Sequence, residues 1–345
     1  MLTAKIKILP SHDQTAIIDA TMQEYISLVN DIIDYAVALA QMPKLSSATA
    51  KAALPSCLRD QCRIDARSIW RKTLKNGGRF PVLRRSVAIW NNQNYTVEAD
   101  GIAFPVWLNG RSRKIHVKAI IPEEVLSILQ NHKLGTMRIS KKNGKYIAQI
   151  AYEEVCAEPV PEDKSMGVDL GILCPAVSVT DDGKTKFYGN GRQNKFVRRR
   201  HKAKRRKLGK AKKLNAIRKL EHKEQRWMKD QDHKISRAIV NEATRQGVST
   251  IKLENLAGIR STARTSRKNN PSLHSWSFYR LSKFIEYKAC LAGIEVRYVD
   301  PKYTSQTCPV CGTRHKTNSR TYLCTDCGYR THRDRVGAVN ICHAA

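Results

Sequence analysis

Polar and apolar residues alternate from Thr3 to Leu9, the period of a half-buried strand, and Pro10-Ser11 ends the run. From Asp13 to about Gln41 the apolar positions return at helical spacing: Ile17, Ile18, Met22, Tyr25, Ile26, Val29, Ile32, Ile33 and Ala36. After a polar break from Leu45 to Lys51, a second helical stretch runs from about Ala53 to Lys75, and Asn76-Gly77-Gly78 closes it. From Phe80 to Glu153 the period is two again. Strands are expected over Ser86–Trp90, Asn94–Val97, Ile102–Val106, Lys114–Ile120, Gly135–Ser140 and Tyr146–Tyr152. Asp100-Gly101, Asn109-Gly110 and Asn143-Gly144 suit tight hairpin turns between them. If the first strand joins this set, residues 1–10 and 80–160 form a small β-barrel and residues 11–79 are a helical insert. Such a module binds; it carries no catalytic cluster.

The run Glu153–Lys164 is acidic, contains Pro159 and Pro161, and reads as a linker. Beyond it, Met166–Ile172, Ala176–Thr180 and Lys184–Tyr188 read as strands, with Asp182-Gly183 as a turn. A long helical stretch follows as far as Arg245, stopped by Gln246-Gly247. Next come a strand through Glu254, a basic polar loop from Ile259 to Leu273, a helix over Phe278–Ala292 and a strand over Glu295–Val299. A last short helix is expected from Asp334 to Ala344. The chain is therefore expected to be multidomain, α+β followed by α/β, without internal repeats.

Charge changes the picture. The 345 residues include 62 Lys and Arg against 30 Asp and Glu, a formal charge of +32. A chain this basic calls for a polyanion, and nucleic acid is the usual one. A membrane surface is the competing anion, but no run of about eighteen apolar residues offers a span, and Met1-Leu2-Thr3-Ala4-Lys5-Ile6 lacks the apolar core of a signal peptide. A cytoplasmic protein without membrane partners is expected. Between Lys195 and Lys213, twelve of nineteen residues are Lys or Arg and none is acidic. A solvated basic face is the ordinary explanation. Self-repulsion on this scale favours phosphates alongside, and Arg198, Arg199, Arg200, Lys202, Lys204, Arg205, Arg206 and Lys207 are the candidate nucleic-acid contacts.

The strongest local signal is Cys308-Pro309-Val310-Cys311-Gly312 followed, after twelve residues from Cys311, by Cys324-Thr325-Asp326-Cys327-Gly328. Four thiolates in two such knuckles suit tetrahedral zinc better than four unrelated cysteines or a redox pair. A site closed by four protein ligands folds a module and leaves no open position for chemistry. The other six cysteines (Cys57, Cys62, Cys156, Cys174, Cys290 and Cys342) are scattered, which fits a reducing compartment.

Three acids sit at or near the ends of strand-like or helical runs: Asp169, Glu254 and Asp334. Acids at the carboxyl ends of strands in an open α/β sheet lie where such sheets bind ligands. Three converging carboxylates repel one another unless they hold cations, and magnesium takes oxygen ligands and leaves room for phosphate oxygens. Two such ions roughly 4 Å apart activate water and stabilise a leaving oxygen, which is phosphodiester hydrolysis. The plain alternative is that acids near strand ends are common and that Asp334 caps its helix.

Gly167-Val168-Asp169-Leu170-Gly171-Ile172, Leu253-Glu254-Asn255-Leu256, the paired cysteines and Arg333-Asp334-x-x-x-Ala338-x-Asn340-Ile341 resemble the blocks of the TnpB (OrfB) proteins of insertion sequences. His233-Lys234-Ile235-Ser236-Arg237 and Tyr303-Thr304-Ser305-Gln306-Thr307-Cys308 match that family's intervening blocks. The resemblance is strong over about residues 165–343 and mainly architectural before that. It implies an RNA-guided DNA endonuclease related to type V CRISPR effectors. It also implies an N-terminal wedge β-barrel with a helical recognition insert, then a RuvC-like (RNase H-like) nuclease domain over 161–300 and 331–345, with an inserted zinc ribbon over 301–330. Asp169, Glu254 and Asp334 would be the metal-binding catalytic acids, with two magnesium ions, and Cys308, Cys311, Cys324 and Cys327 would hold one structural zinc. The guide would be an RNA from the transposon end, the target double-stranded DNA beside a short motif, and the setting the bacterial or archaeal cytoplasm, near the nucleoid. Val336 and Gly337 depart from the Asn-Ala of many members, without touching the acids. The competing functions are a guided transcriptional regulator without cleavage and a transposase or transposition accessory. Intact acids favour the nuclease over the regulator, and no Tyr sits in an identifiable nucleophile motif for strand transfer.

Overall fold

A computed structural model describes residues 1–142, 144–161, 163–220, 222–257, 276–317 and 319–344. Asn143 of the third expected turn and the basic loop from Ile259 to Leu273 lie outside them. The chain divides into two compact units, Met1–Glu154 and Val155–Ala345.

In the first unit, β1 (Leu2–Ile8) is followed by α1 (His12–Ala38) and α2 (Ser56–Asn76). Then come β2 (Val87–Trp90), β3 (Thr96–Val97), β4 (Gly101–Leu108), β5 (Arg111–Ile120), α3 (Glu123–Asn131), β6 (Leu134–Lys142) and β7 (Lys145–Tyr152). The strands form one seven-stranded sheet, β2-β6-β7-β1-β5-β4-β3, and β1 pairs antiparallel with both β5 and β7. Residues 2–8 thus complete a sheet whose other strands begin after the two long helices. The ladder has two ends, and among the described residues no backbone pairing closes it into the expected barrel. The ends nevertheless approach each other. Trp90 on β2 donates from Nε1 to Pro105 O on β4 at 3.0 Å and packs on Phe104, with ring centroids 4.9 Å apart.

Ser11 starts α1 with a reciprocal cap: its hydroxyl accepts from Gln14 N, and Gln14 Oε1 accepts from Ser11 N. The helix then buries Ile18, Met22, Tyr25, Val29 and Ile33 in the same core as Ile6, Trp90, Phe104 and Ile150. Each such side chain contributes about 1.5–3 kcal/mol on full burial, so the helices and the sheet stabilise each other as one body. The helix α3 breaks the expected run of strands. Pro122 precedes it, Glu123 and Glu124 occupy its first turn, and Leu129 is buried.

The second unit contains β8 (Ser165–Asp169), β9 (Ala176–Thr180), β10 (Thr185–Tyr188), α4 (Gly191–Lys210), α5 (Leu214–Lys219), α6 (Lys223–Arg245) and β11 (Thr250–Glu254). It continues with α7 (Phe278–Cys290), β12 (Glu295–Val299), β13 (Thr321–Leu323), β14 (Arg330–His332) and α8 (Arg333–His343). Its sheet has the order β10-β9-β8-β11-β12: the first three strands are antiparallel, while β11 is parallel to both β8 and β12. The single long helix expected before Arg245 is three helices. The breaks fall around Lys212 and His222, both in left-handed backbone with φ of 52° and 54°.

Helix α8 lies directly on the sheet. A Cβ on Gly167 would stand 2.2 Å from Ala338 O and 2.3 Å from Cys342 N, so only glycine admits the helix at this distance. Helices α6 and α7 are joined by buried polar contacts. Asp232 accepts from Arg280 Nε at 2.7 Å and from Ser277 Oγ at 3.1 Å. Lys288, pushed down to about 8 by burial, donates to His233 O at 2.7 Å and Ser236 Oγ at 2.5 Å. The block His233–Arg237 thereby has a packing role.

Cys156 and Cys290 are joined in a disulfide, with Cα atoms 5.0 Å apart, which corrects the expectation of scattered cysteines. The reason is the path of the linker along the end of α7: Ala157 N donates to Cys290 O at 3.2 Å and Val160 N to Gly293 O at 3.0 Å. Among the described residues no helix is long and apolar enough to cross a membrane.

Candidate metal centres and nucleic-acid face

Val168 on β8 pairs with Leu253 on β11 in parallel register. Asp169 and Glu254 are the next residues on each strand, so two carboxylates emerge side by side at the carboxyl ends of adjacent central strands. Asp334 comes from the first turn of α8, which packs on β8. The proximity of that turn to Asp169 is close: a Cβ on Gly337 would lie 3.0 Å from Asp169 Oδ2.

Protein crowds the Asp169 carboxyl, and this burial, then the charges of Glu254 and Asp334, hold its pKa well above the usual carboxylate range. Arg333 and Arg320 pull the other way and do not prevail. Glu254 is also raised, by burial, against a hydrogen bond from Thr304 Oγ1 at 2.5 Å. Asp334 is held by Arg320, whose Nη1 lies 2.9 Å and 3.1 Å from its two oxygens. Asp334 is not the cap of its own helix. His332 takes that place, its Nδ1 accepting from Asp334 N at 3.2 Å. The donor set is three hard carboxylates, the kind magnesium takes, and the repulsion felt at Asp169 is what a divalent cation would relieve.

The four cysteine sulfurs converge. Cys308, Cys311, Cys324 and Cys327 place their Sγ atoms all within 4.8 Å of one another, with Cys308–Cys327 at 3.6 Å and Cys311–Cys324 at 3.5 Å. Zinc–sulfur bonds of about 2.3 Å in a tetrahedron require sulfurs at about this separation, so the residues fit that ion. Gly312 and Gly328, each with positive φ (75° and 71°), turn the chain after each pair. The module touches the acids through Arg320, just before β13, and through Thr304, just before the first knuckle.

The basic candidates fall on α4 but do not form one equivalent set. Arg199, Arg200, Lys202, Lys204, Arg206 and Lys207 are exposed. Arg205, also exposed, is paired with Glu224 at 2.8 Å. Arg198 is half-buried, its pKa lowered by burial, and it faces the charges of Glu224 and Asp232. The spacing of basic residues alone did not separate those that face solvent from those that face α6. No spacing in the sequence marks Thr304, Arg320 or Asn340 as site residues. Thr304 and Asn340 lie within the TnpB-like blocks, but the contacts they make join positions far apart in the chain.

Two family models match the chain. One described as a probable transposase, of the OrfB type of insertion sequences, covers residues 149–260, and one described as a Cas12f1-like TNB domain covers residues 278–341. A CRISPR-associated endodeoxyribonuclease Cas12f1 of Syntrophomonas palmitatica is 29% identical over 245 residues, 66% of this chain and 48% of that protein. A TnpB-like protein of Methanocaldococcus jannaschii is 36% identical over 149 residues, 42% and 53% of the two chains. A protein of Escherichia coli named as a putative RNA-guided DNA endonuclease, InsQ, is 28% identical over 59% of this chain and 54% of its own length. The chain spans about half the length of the curated relatives it matches. Among solved structures, Cas12f1 in a complex with guide RNA and target DNA superposes with a TM-score of 0.73, covering 96% of this chain and 83% of that one at 16% identity, which establishes a shared fold. Two models matching in succession, and named relatives that agree with both, make this chain similar to the TnpB-like and Cas12f proteins.

Proposed function

We propose that the protein is an RNA-guided DNA endonuclease encoded by a transposable element. What supports the reading is that Asp169 feels the charges of both Glu254, at the end of the adjacent parallel strand, and Asp334, on the helix packed against that sheet. In this reading the five-stranded unit is a RuvC-like nuclease and the four-cysteine module is a zinc ribbon inserted before α8. The N-terminal unit is wedge-like, with α1 and α2 as its recognition insert, and it reads a short motif beside the target. Bound between the three acids, two magnesium ions would supply an activated water and charge for the leaving oxygen of an in-line displacement. The chain's own contribution is position: β8, β11 and α8 fix the carboxylates, and Arg320 balances the charge of Asp334. Base pairing with a guide RNA from the transposon end supplies the sequence, while the protein reads backbone shape. The exposed residues of α4 contact RNA or the guide–target duplex through phosphates.

The test is to purify the protein, sequence the RNA that accompanies it, and offer a plasmid carrying the matched target, with and without magnesium. Metal-dependent cutting of the matched plasmid alone is the expected result. Specific binding without cutting under any divalent cation would leave a guided DNA-binding regulator, and joining of DNA ends would indicate a transposase.

A further inference from the structure

Behind the three acids lies a second set of contacts that belongs to none of the steps above. Thr304 is buried, at 9% exposure, and its hydroxyl donates to Glu254 Oε1 at 2.5 Å, with Pro301 O also within reach at 3.2 Å. The backbone of Thr304 is itself held. Asn340 donates from Nδ2 to Thr304 O and to Thr307 O, both at 2.7 Å, which uses both protons of its amide. Asn340 stands on α8 six residues after Asp334, and Thr307 immediately precedes the first cysteine of the zinc knuckles. One amide therefore clips the 301–307 segment to the helix that carries Asp334. One hydroxyl from that segment then reaches the acid on β11.

We infer that Thr304 is a positioning residue for the metal centre: its hydroxyl fixes the Glu254 carboxylate through Oε1, leaving Oε2 for the ion, and Asn340 fixes Thr304. The inference rests on the reading of Glu254 as a magnesium ligand. A glutamate has three side-chain torsions to immobilise before it can ligate, and a ligand already oriented by a fixed donor loses less freedom on binding. Partners of this kind to metal ligands typically change metal affinity or activity by about 10–100-fold when removed. Thr304 is well suited to the task because its side chain is buried and β-branched, so its hydroxyl has little freedom of its own.

The experiment compares the full-length wild type with Thr304→Val, which keeps the shape and removes the hydroxyl, and with Thr304→Ser, which keeps the hydroxyl. Manganese binding followed by electron paramagnetic resonance reports the site directly, with Glu254→Gln identifying which binding belongs to it. Zinc content and thermal midpoint check the fold. Thr304→Val is expected to weaken manganese binding about tenfold or more, and Thr304→Ser to stay within about threefold of wild type. In the plasmid assay, Thr304→Val should need proportionately more metal for half-maximal cutting and recover much of its rate at saturation. Equal manganese affinity in wild type and Thr304→Val overturns the inference. So does a Thr304→Ser variant as impaired as Thr304→Val, since packing would then be responsible. Failure of the nuclease reading looks different: wild type would cut nothing, while the manganese comparison would still judge Thr304.

Discussion

Asp169 is crowded by protein and faces two like charges, so the folded chain keeps its proton to a higher pH than an unfolded chain would. The sign of the consequence follows. A raised folded pKa stabilises the fold fully below the ordinary carboxylate range, and that contribution is lost as pH rises through the raised value. Toward neutral pH the metal-free wild type therefore bears a cost at this carboxyl, first from its burial and then from the charges of Glu254 and Asp334, that Asp169→Asn removes. We expect Asp169→Asn to raise the metal-free thermal midpoint by about 2–4 °C near pH 7.5, roughly 1 kcal/mol for a domain of this size, and to lose that advantage toward pH 4. Added magnesium should raise the midpoint of wild type and not of the variant. Calorimetry at the two pH values checks this, and a variant less stable than wild type at both contradicts it. At this scale the acids were legible because strand ends and motif spacing mark them. Thr304, Arg320 and Asn340 were not, because their partners lie 50, 14 and 36 or 33 positions away and meet only in the folded chain.

Helix α4 was legible as a basic helix, since twelve of nineteen residues between Lys195 and Lys213 are Lys or Arg. Which of its residues face outward depends on α6, which the pattern of charge does not reveal. Arg198 and Arg205 turn toward Glu224, whereas Arg199, Arg200 and Lys202 have open surroundings. Replacing Arg199, Arg200 and Lys202 by Ala should weaken RNA binding and flatten the dependence of log K on log salt by about 0.7–0.9 per lost phosphate contact. Replacing Arg198 alone should lower the thermal midpoint with little change in that slope. An unaltered slope in the triple variant would mean that this face is merely solvated. The breaks around Lys212 and His222 were hidden for a related reason: neither position is itself Gly or Pro, and both residues adopt a left-handed conformation that non-glycine residues use sparingly. Nine-residue α3 was hidden by the alternating strands on either side of it, although Val125, Ile128 and Leu129 keep helical spacing.

Across the whole chain, the order of the elements was readable apart from α3 and the two breaks before α5 and α6. The closure of the first sheet was not, because a period of two gives strands and says nothing of whether the last pairs with the first. The Cys156–Cys290 pair was equally invisible, since 134 residues separate its members. The cysteine module links distant parts of the second unit: Arg320 holds Asp334, and Asn340 holds the carbonyl just before Cys308. We expect one zinc per chain. Cys324→Ser should lose it, destabilise residues beyond about 300 toward protease, and reduce cutting as well, since both attachments depend on the module's shape. Metal analysis that finds no zinc in the native protein would contradict this.

The proposed function requires Asp169, Glu254 and Asp334 to act as one metal-dependent centre that cuts DNA chosen by a guide. The most direct measurement follows binding and cutting of a matched target by wild type and by Asp169→Ala, Glu254→Ala and Asp334→Ala, each with the same guide RNA, in magnesium and in chelator. Wild type in magnesium should cut. Each variant, and wild type in chelator, should bind the target with affinity within a few-fold of wild type and cut at least about a hundredfold more slowly. Cutting that persists in the three variants would place the chemistry elsewhere in the molecule.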